Sequence, residues 1–281
     1  MKFNLVRIVP DNGFYIHAQV FHEIEAAVFF TLQALGYDVT NSVNEFKKDR
    51  RNIVFGMHHC PVDIVRHDIP KDTIVYSLEQ MNEQPECQRW CRKYRNLEVW
   101  DYSMRNVEYL RKAGVENIKH FKIGYVPEIS YFERNKPEER DIDILAYMSP
   151  SPRRVKIMEQ FEKNPNINFK HVQSVYGDER DDLIKRAKLV INLHNNDNRI
   201  FEMVRVTHLI QNGVPVLSEV NSDTDFPEYM EGTVFTSTYN RFVDTAYKLL
   251  KKPKELDKQA EKGLELFKKF PMTEFLKEVL E

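Results

Sequence analysis

Residues Lys188–Glu219 read KLVINLHNNDNRIFEMVRVTHLIQNGVPVLSE, and the order of patterns within them decides the fold. KLVINLH (188–194) and VPVLSE (214–219) are short apolar runs of strand length. Between them Phe201, Val204, His208 and Leu209 recur at three- and four-residue spacing, which predicts a helix. Strand, helix, strand is a βαβ unit, and βαβ units build parallel sheets. Ligands of open parallel sheets bind beyond the carboxyl ends of the strands, near helix N-termini whose free N–H groups favour anions. His194, Asn195, Asn196, Asp197, Asn198 and Arg199 fall at that edge, so a phosphate-bearing ligand is the first expectation.

The same alternation extends in both directions. Upstream, DIDILAYM is a strand, RRVKIMEQFEKN a helix, FKHVQSVY a strand and DERDDLIKRA a helix; downstream, TVFTST is a last strand before a helical C-terminus divided by Pro253 and Pro271. The first half repeats the theme. FNLVRIVP is a strand, a helix runs from about His17 to Leu35 and stops at Gly36, and NIVFGMHH, TIVYSLEQ, LEVWDYS and IKHFKIGY are further strands. PEISYFERNKPEERD is polar, contains proline and has no period, which marks a linker with a boundary near Asn135. The expected fold is therefore α/β, with Rossmann-like domains at 1–135 and 136–281 facing a cleft.

Composition narrows the function classes. With 281 residues, 42% hydrophobic and 30% charged, the chain is an ordinary globular protein, and a net charge of −2 gives no general drive toward nucleic acid. The basic residues of KLLKKPKELDKQAEKGLELFKKF alternate with acids and read as a solvated helical face, the alternative being a weak membrane-surface patch. No apolar run is long enough to span a bilayer, and Phe3–Val9 is too short for a signal peptide, so a cytoplasmic location is expected. Three cysteines, Cys60, Cys87 and Cys91, do not make a disulfide framework or supply a tetrahedral metal set.

Familiar phosphate devices are missing. Nine glycines supply neither a G-x-G-x-x-G after the first strand nor a Walker A loop. Asp141-Ile142-Asp143 precedes its strand, at the edge away from ligands, and Asp223-Thr224-Asp225 reads as an acidic turn more readily than as a metal site.

At this point the chain resembles a family. Paired α/β halves, His194-x7-Glu202 and the following Gly213-Val214-Pro215-Val216 are similar to the donor-binding half of GT-B glycosyltransferases, which use nucleotide-activated sugars without a metal. In the inverting branch a histidine, an asparagine four residues on and a glutamate eight residues on line the donor site, a spacing matched by His194, Asn198 and Glu202. The resemblance implies that His194 and Asn198 contact the diphosphate and that Glu202 accepts hydrogen bonds from the ribose hydroxyls. Arg199-Ile200-Phe201-Glu202 also resembles the R-x-F-E of bacterial glycosyltransferase-like proteins. MVRVTHLIQN departs from the family by lengthening the helix before the glycine-proline strand. Retaining members carry glutamate at the position of His194, so the histidine leans toward inversion.

Other candidates follow from position. Arg153 and Arg154 lie past the strand DIDILAYM, where a guanidinium holds a diphosphate or, as a first-turn arginine, points to solvent. Tyr176 ends a strand where related enzymes recognise the base, and Arg199 belongs to the same donor-side edge. In the loop after the first strand, the resemblance favours His17 as the base that deprotonates the acceptor hydroxyl, with Asp11 as orienter or substitute; a partly buried helix-start histidine is the alternative. His58, His59 and Glu79 end neighbouring strands and are acceptor or sugar contacts by location. The expected activity is metal-independent transfer of a sugar from a nucleotide-sugar donor to a glycan or lipid-linked acceptor, in surface polysaccharide biosynthesis, with no cofactor and at most peripheral attachment to the inner face of the membrane. A non-catalytic nucleotide- or glycan-binding module and a nucleotide-sugar epimerase are the other two readings.

Overall fold

The computed structural model describes the chain except for residues 11–14, 61–68 and 198, and divides it into two compact units, Met1–Val126 with Pro271–Glu281, and Pro127–Phe270. Asp11 and Asn198 therefore lie outside the described residues.

The first unit is built on a six-stranded parallel sheet in the order β2-β1-β3-β4-β5-β6. Its strands are β1 (Lys2–Arg7), β2 (Asp38–Val43), β3 (Arg51–Phe55), β4 (Ile74–Ser77), β5 (Glu98–Asp101) and β6 (Ile118–His120). Helices α1 (His22–Ala34), α2 (Pro85–Tyr94) and α3 (Met104–Lys112) cover it, joined by the returning C-terminal helix α9 (Met272–Leu280), which packs on α1. The strands are apolar where both faces are covered: Ile53, Val54, Phe55, Ile74, Val75, Tyr76, Val99 and Trp100 are all buried. Ser103 caps α3 by accepting from the Asn106 N–H at 3.2 Å. The helix expected from His17 begins instead at His22. Residues Ile16–Phe21 wind as a 3-10 turn, whose three-residue period turns both Ala18 and Phe21 inward.

The second unit has a five-stranded parallel sheet, β11-β10-β9-β7-β8, made of β7 (Ile142–Tyr147), β8 (Phe169–Val172), β9 (Ala187–Asn192), β10 (Val216–Glu219) and β11 (Phe235–Ser237). Helices α4 (Pro152–Glu162), α5 (Gly177–Arg186), α6 (Met203–Gln211), α7 (Phe242–Leu250) and α8 (Pro253–Phe267) surround it. Pro152 and Pro253 occupy first helical positions, where a missing N–H leaves no bond unmade. One side of the core joins Ile144, Ala146, Leu189, Ile191 and Leu217 of the sheet to Ile157, Met158 and Phe161 of α4 and to Phe242, Ala246 and Leu249 of α7. Gly263 permits α8 to lie against Thr233; a Cβ there would come within 2.1 Å of the Thr233 carbonyl oxygen.

Each sheet reverses its winding at one place, between β1 and β3 in the first unit and between β7 and β9 in the second. The connections from the two central strands leave to opposite sides there, which opens a crevice at their carboxyl ends. That geometry fixes where polar side chains can gather in each unit.

Candidate functional site

In the second unit the crevice holds a compact polar network. His194 follows β9 and is fully buried, with Nδ1 3.2 Å from Glu202 Oε2 and Nε2 3.2 Å from the Thr224 hydroxyl. Glu202 immediately precedes α6. Its Oε2 also accepts from Asn192 Nδ2 at 2.9 Å, and Asn192 in turn bonds Ser218 and accepts from Arg205. Burial raises the Glu202 pKa, but His194, Arg205 and Arg154 outweigh it, and the carboxyl is held below its ordinary value. Among the described residues, Glu202 Oε1 has no hydrogen-bond partner, although the Arg154 guanidinium lies 3.5 Å away.

The two arginines after β7 are used differently. Arg154 is buried and gives its donors to main-chain carbonyls, Nε and one terminal nitrogen to Leu193 at 2.9 and 2.7 Å and the other to Ser149 at 2.9 Å. It thereby ties the ends of β7 and β9 together. Burial, with Arg205 and Arg153 nearby, pulls its pKa down to about 9 against the pull of Glu202 and Glu219, so it keeps its charge at neutral pH. Arg153 makes a two-pronged ion pair with Glu219, stacks over the Tyr239 ring at 4.0 Å and leaves part of its surface open, with Asp197 at 3.8 Å. Glu219 ends β10 and is fully buried; it also accepts from Asn221 Nδ2 at 2.6 Å and from the His194 N–H at 3.2 Å.

Arg199 stands at the rim with a left-handed backbone (φ 52°), paired with Asp223. That arginine already neutralises one member of the Asp223-x-Asp225 pair, and among the described residues no group of three His, Cys, Asp or Glu side chains has the arrangement of a metal site. Tyr176 is half-buried just ahead of α5, on the side of edge strand β8. His194, Glu202, Arg153 and Arg154 thus come together, Arg199 borders them, and Tyr176 stands one strand away. Glu219, Thr224, Asn192, Arg205 and Tyr239 complete the network without having been singled out by the sequence.

The first unit gathers its candidates in the same way. His17 is exposed on the 3-10 turn after β1, its ring 5.2 Å from that of Tyr15, and Tyr15 lies 5.0 Å from His59. His59 stacks on His58 at 3.9 Å, and His58 packs on Trp90 at 4.9 Å. Gly56 makes the turn that delivers the histidine pair: it is left-handed (φ 75°), and a Cβ would meet the Phe21 ring at 2.9 Å. Burial, reinforced by His59 and Lys93, drives the His58 pKa down to about 3, so this imidazole is neutral. Glu79 lies 3.7 Å from His58, and burial raises its pKa although a third of the side chain is exposed. Two carboxyl-edge clusters result, one in each unit.

No family model matches the sequence. The uncharacterized protein L140 of Acanthamoeba polyphaga mimivirus is 29% identical over 159 residues, 56% of this chain; the match spans 52% of that relative, so the chain covers about half its length. Solved structures match over the whole chain. The T4 phage protein BGT, in complex with its UDP-glucose substrate, aligns with a TM-score of 0.61 at 11% identity and 100% coverage of both chains. Anabaena HepE, in complex with UDP and glucose, gives 0.59 at 11% identity, covering 100% of this chain and 98% of that one. WaaG, a glycosyltransferase involved in lipopolysaccharide biosynthesis, gives 0.57 at 10% identity, covering 99% and 98%. At such identities the likeness is one of fold, and the fold is GT-B.

Proposed function

We propose that this GT-B chain is a glycosyltransferase that moves a sugar from a nucleotide diphosphate donor, with a UDP-sugar as the first choice, to an acceptor hydroxyl. The observation that carries the reading is the His194–Glu202 pair at the switch point of the second sheet, with Arg153 clamped beside it and one Glu202 oxygen that has no hydrogen-bond partner among the described residues. The ribose hydroxyls supply donors to Glu202. Arg153 and His194, with Arg199 at the rim and Asn198 from the family spacing, meet the diphosphate, Tyr176 faces the base, and Arg154 positions the segment that carries His194.

In the transfer the bond between the anomeric carbon and the donor's phosphate oxygen breaks as the acceptor oxygen bonds to that carbon. His17, oriented or replaced by Asp11, takes the acceptor proton, while His58, His59 and Glu79 contact acceptor or sugar. The leaving diphosphate oxygen keeps the bonding electron pair and gains one unit of negative charge, which guanidinium and imidazole donors stabilise in place of a metal. The proposed setting is surface glycan synthesis at the cytoplasmic side of the membrane; among the described residues no helix is long and apolar enough to cross one.

Incubation with UDP-sugars and a glycan acceptor, followed by chromatography of the released UDP, tests both the transfer and its independence of metal. Turnover is expected to persist in excess EDTA. Loss of turnover with EDTA, restored by manganese or magnesium, would assign Asp223 and Asp225 to a metal instead. UDP binding with no turnover of any donor would make the chain a binding module.

A further inference from the structure

His194 stands at the centre of the second-unit network, and its ring has almost no surface of its own. The imidazole is 1% exposed, and Nε2 lies 3.2 Å from the hydroxyl of Thr224, which is half-buried. Whatever the ring contributes at the donor edge passes through that neighbour. Thr224 belongs to the turn after β10, between Asp223, paired with Arg199, and Asp225, whose N–H donates to the Arg199 carbonyl at 2.9 Å.

Donor and acceptor capacity places the hydrogens of the pair. The Glu202 carboxyl is held below its ordinary pKa and is an anion that only accepts. Its Oε2 faces Nδ1 at 3.2 Å, without the alignment of a strict hydrogen bond, and an anion at that distance selects an N–H over a lone pair. A neutral ring with its hydrogen on Nδ1 presents a lone pair at Nε2. Thr224 satisfies it by donating its hydroxyl hydrogen, while the Thr224 oxygen accepts from the Asn221 N–H at 2.9 Å.

Charge keeps the ring neutral in the free protein. The guanidiniums of Arg153, Arg154 and Arg205 face the carboxylates of Glu202 and Glu219, three positive groups against two negative, and an imidazolium would add a fourth cation to a largely buried network. Asp197, Asp223 and Asp225 stand at the rim, the first 89% exposed and the second paired with Arg199, where water screens them. A diphosphate reverses the balance, since each phosphate brings a negative charge. The imidazolium becomes the favoured form, with Nδ1–H still toward Glu202 and a new hydrogen on Nε2 that needs an acceptor.

We propose that Thr224 is the residue through which His194 reaches the donor diphosphate: on binding, His194 takes up one proton from solvent, Nε2–H donates to the Thr224 oxygen, and the released hydroxyl hydrogen turns to a phosphate oxygen. The Thr224 oxygen then accepts twice, from Nε2–H and from the Asn221 N–H, and donates once, which uses its full capacity. The relay deepens the transfer reading and rests on its diphosphate site.

Calorimetric titration of UDP into the full chain at pH 7.5, repeated in buffers of different ionisation heat, counts the protons taken up. The terminal phosphate of UDP, with a pKa of about 6, is largely ionised there, so the uptake belongs to the protein. Wild type is expected to take up about half a proton or more per UDP, and its affinity to fall with rising pH by up to about tenfold per unit. His194→Gln is expected to bind UDP without uptake. Thr224→Val removes the hydroxyl at a half-buried turn position with little change of shape, and is expected to lose the uptake and bind UDP about tenfold or more weakly, the loss of one charge-assisted hydrogen bond. Thr224→Ser is expected to restore both. Uptake absent from the wild type, retained in His194→Gln or Thr224→Val, or still missing in Thr224→Ser overturns the relay. UDP binding without uptake in the wild type leaves the donor-site reading in place, whereas absence of UDP binding removes that reading and the relay together.

Discussion

Replacing His17 by alanine is expected to lower turnover by about two to four orders of magnitude, the range of a lost general base, while UDP affinity stays near wild type. His17 is exposed on the turn after β1, at the switch point of the first sheet, and its ring lies 5.2 Å from that of Tyr15. The donor's proposed contacts all lie on second-unit residues, so removing the base leaves binding in place. His58 cannot take over. Its pKa, pressed down to about 3, keeps the ring neutral over the neutral range and leaves it little affinity for a second proton as a base. Its ring signals in NMR are accordingly expected to remain those of a neutral imidazole from pH 8 down to pH 5. Steady-state kinetics of the folded variant provide the check; near-normal turnover would make His17 structural and pass the role to Asp11 or to a retaining mechanism.

Glu219→Ala is expected to cost about 3–5 kcal/mol of stability, the usual consequence of removing one partner of a buried ion pair. The fully buried carboxylate receives both terminal nitrogens of Arg153, the Asn221 amide and the His194 N–H. Its loss leaves Arg153, among the described residues, with exposed Asp197 at 3.8 Å and the Tyr239 ring, and strands the His194 N–H. The same step loosens the end of β9 that carries His194. Chemical denaturation of the wild type and the variant measures the difference, and a cost below about 1 kcal/mol would show that the clamp is solvated and replaceable.

The parallel architecture was legible because buried strands read as unbroken apolar runs: DIDILAY, KLVIN and VPVLSE are β7, β9 and β10 within a residue or two. Strand β2 was not. Its sequence DVTNSV is polar because it lies at an open edge, with every residue exposed or half-buried, and nothing in composition distinguishes it from a loop. The 3-10 turn at Ile16–Phe21 was read as helix because periods of 3.0 and 3.6 differ by little over six residues.

Within the candidate site, His194 and Glu202 could be found since both sit between two recognisable strands. Glu219 carried a weaker signal, an acid closing an otherwise apolar strand, and its pairing with Arg153 across 66 residues is invisible to local spacing. Arg154 shows the limit of reasoning from position alone. It occupies the ligand edge, yet its guanidinium turns inward to two carbonyl groups, a choice made by unmet acceptors at the ends of β7 and β9.

Calorimetric titration of UDP into the wild type and into Glu202→Gln tests the central claim most directly. The variant preserves volume and removes the charge that faces His194 and the proposed ribose hydroxyls. Wild type is expected to bind one UDP per chain, and the folded variant to bind it more weakly by about 1–3 kcal/mol. No saturable heat with UDP or any other nucleoside diphosphate, or equal affinity in the two proteins, would contradict a donor site at His194 and Glu202.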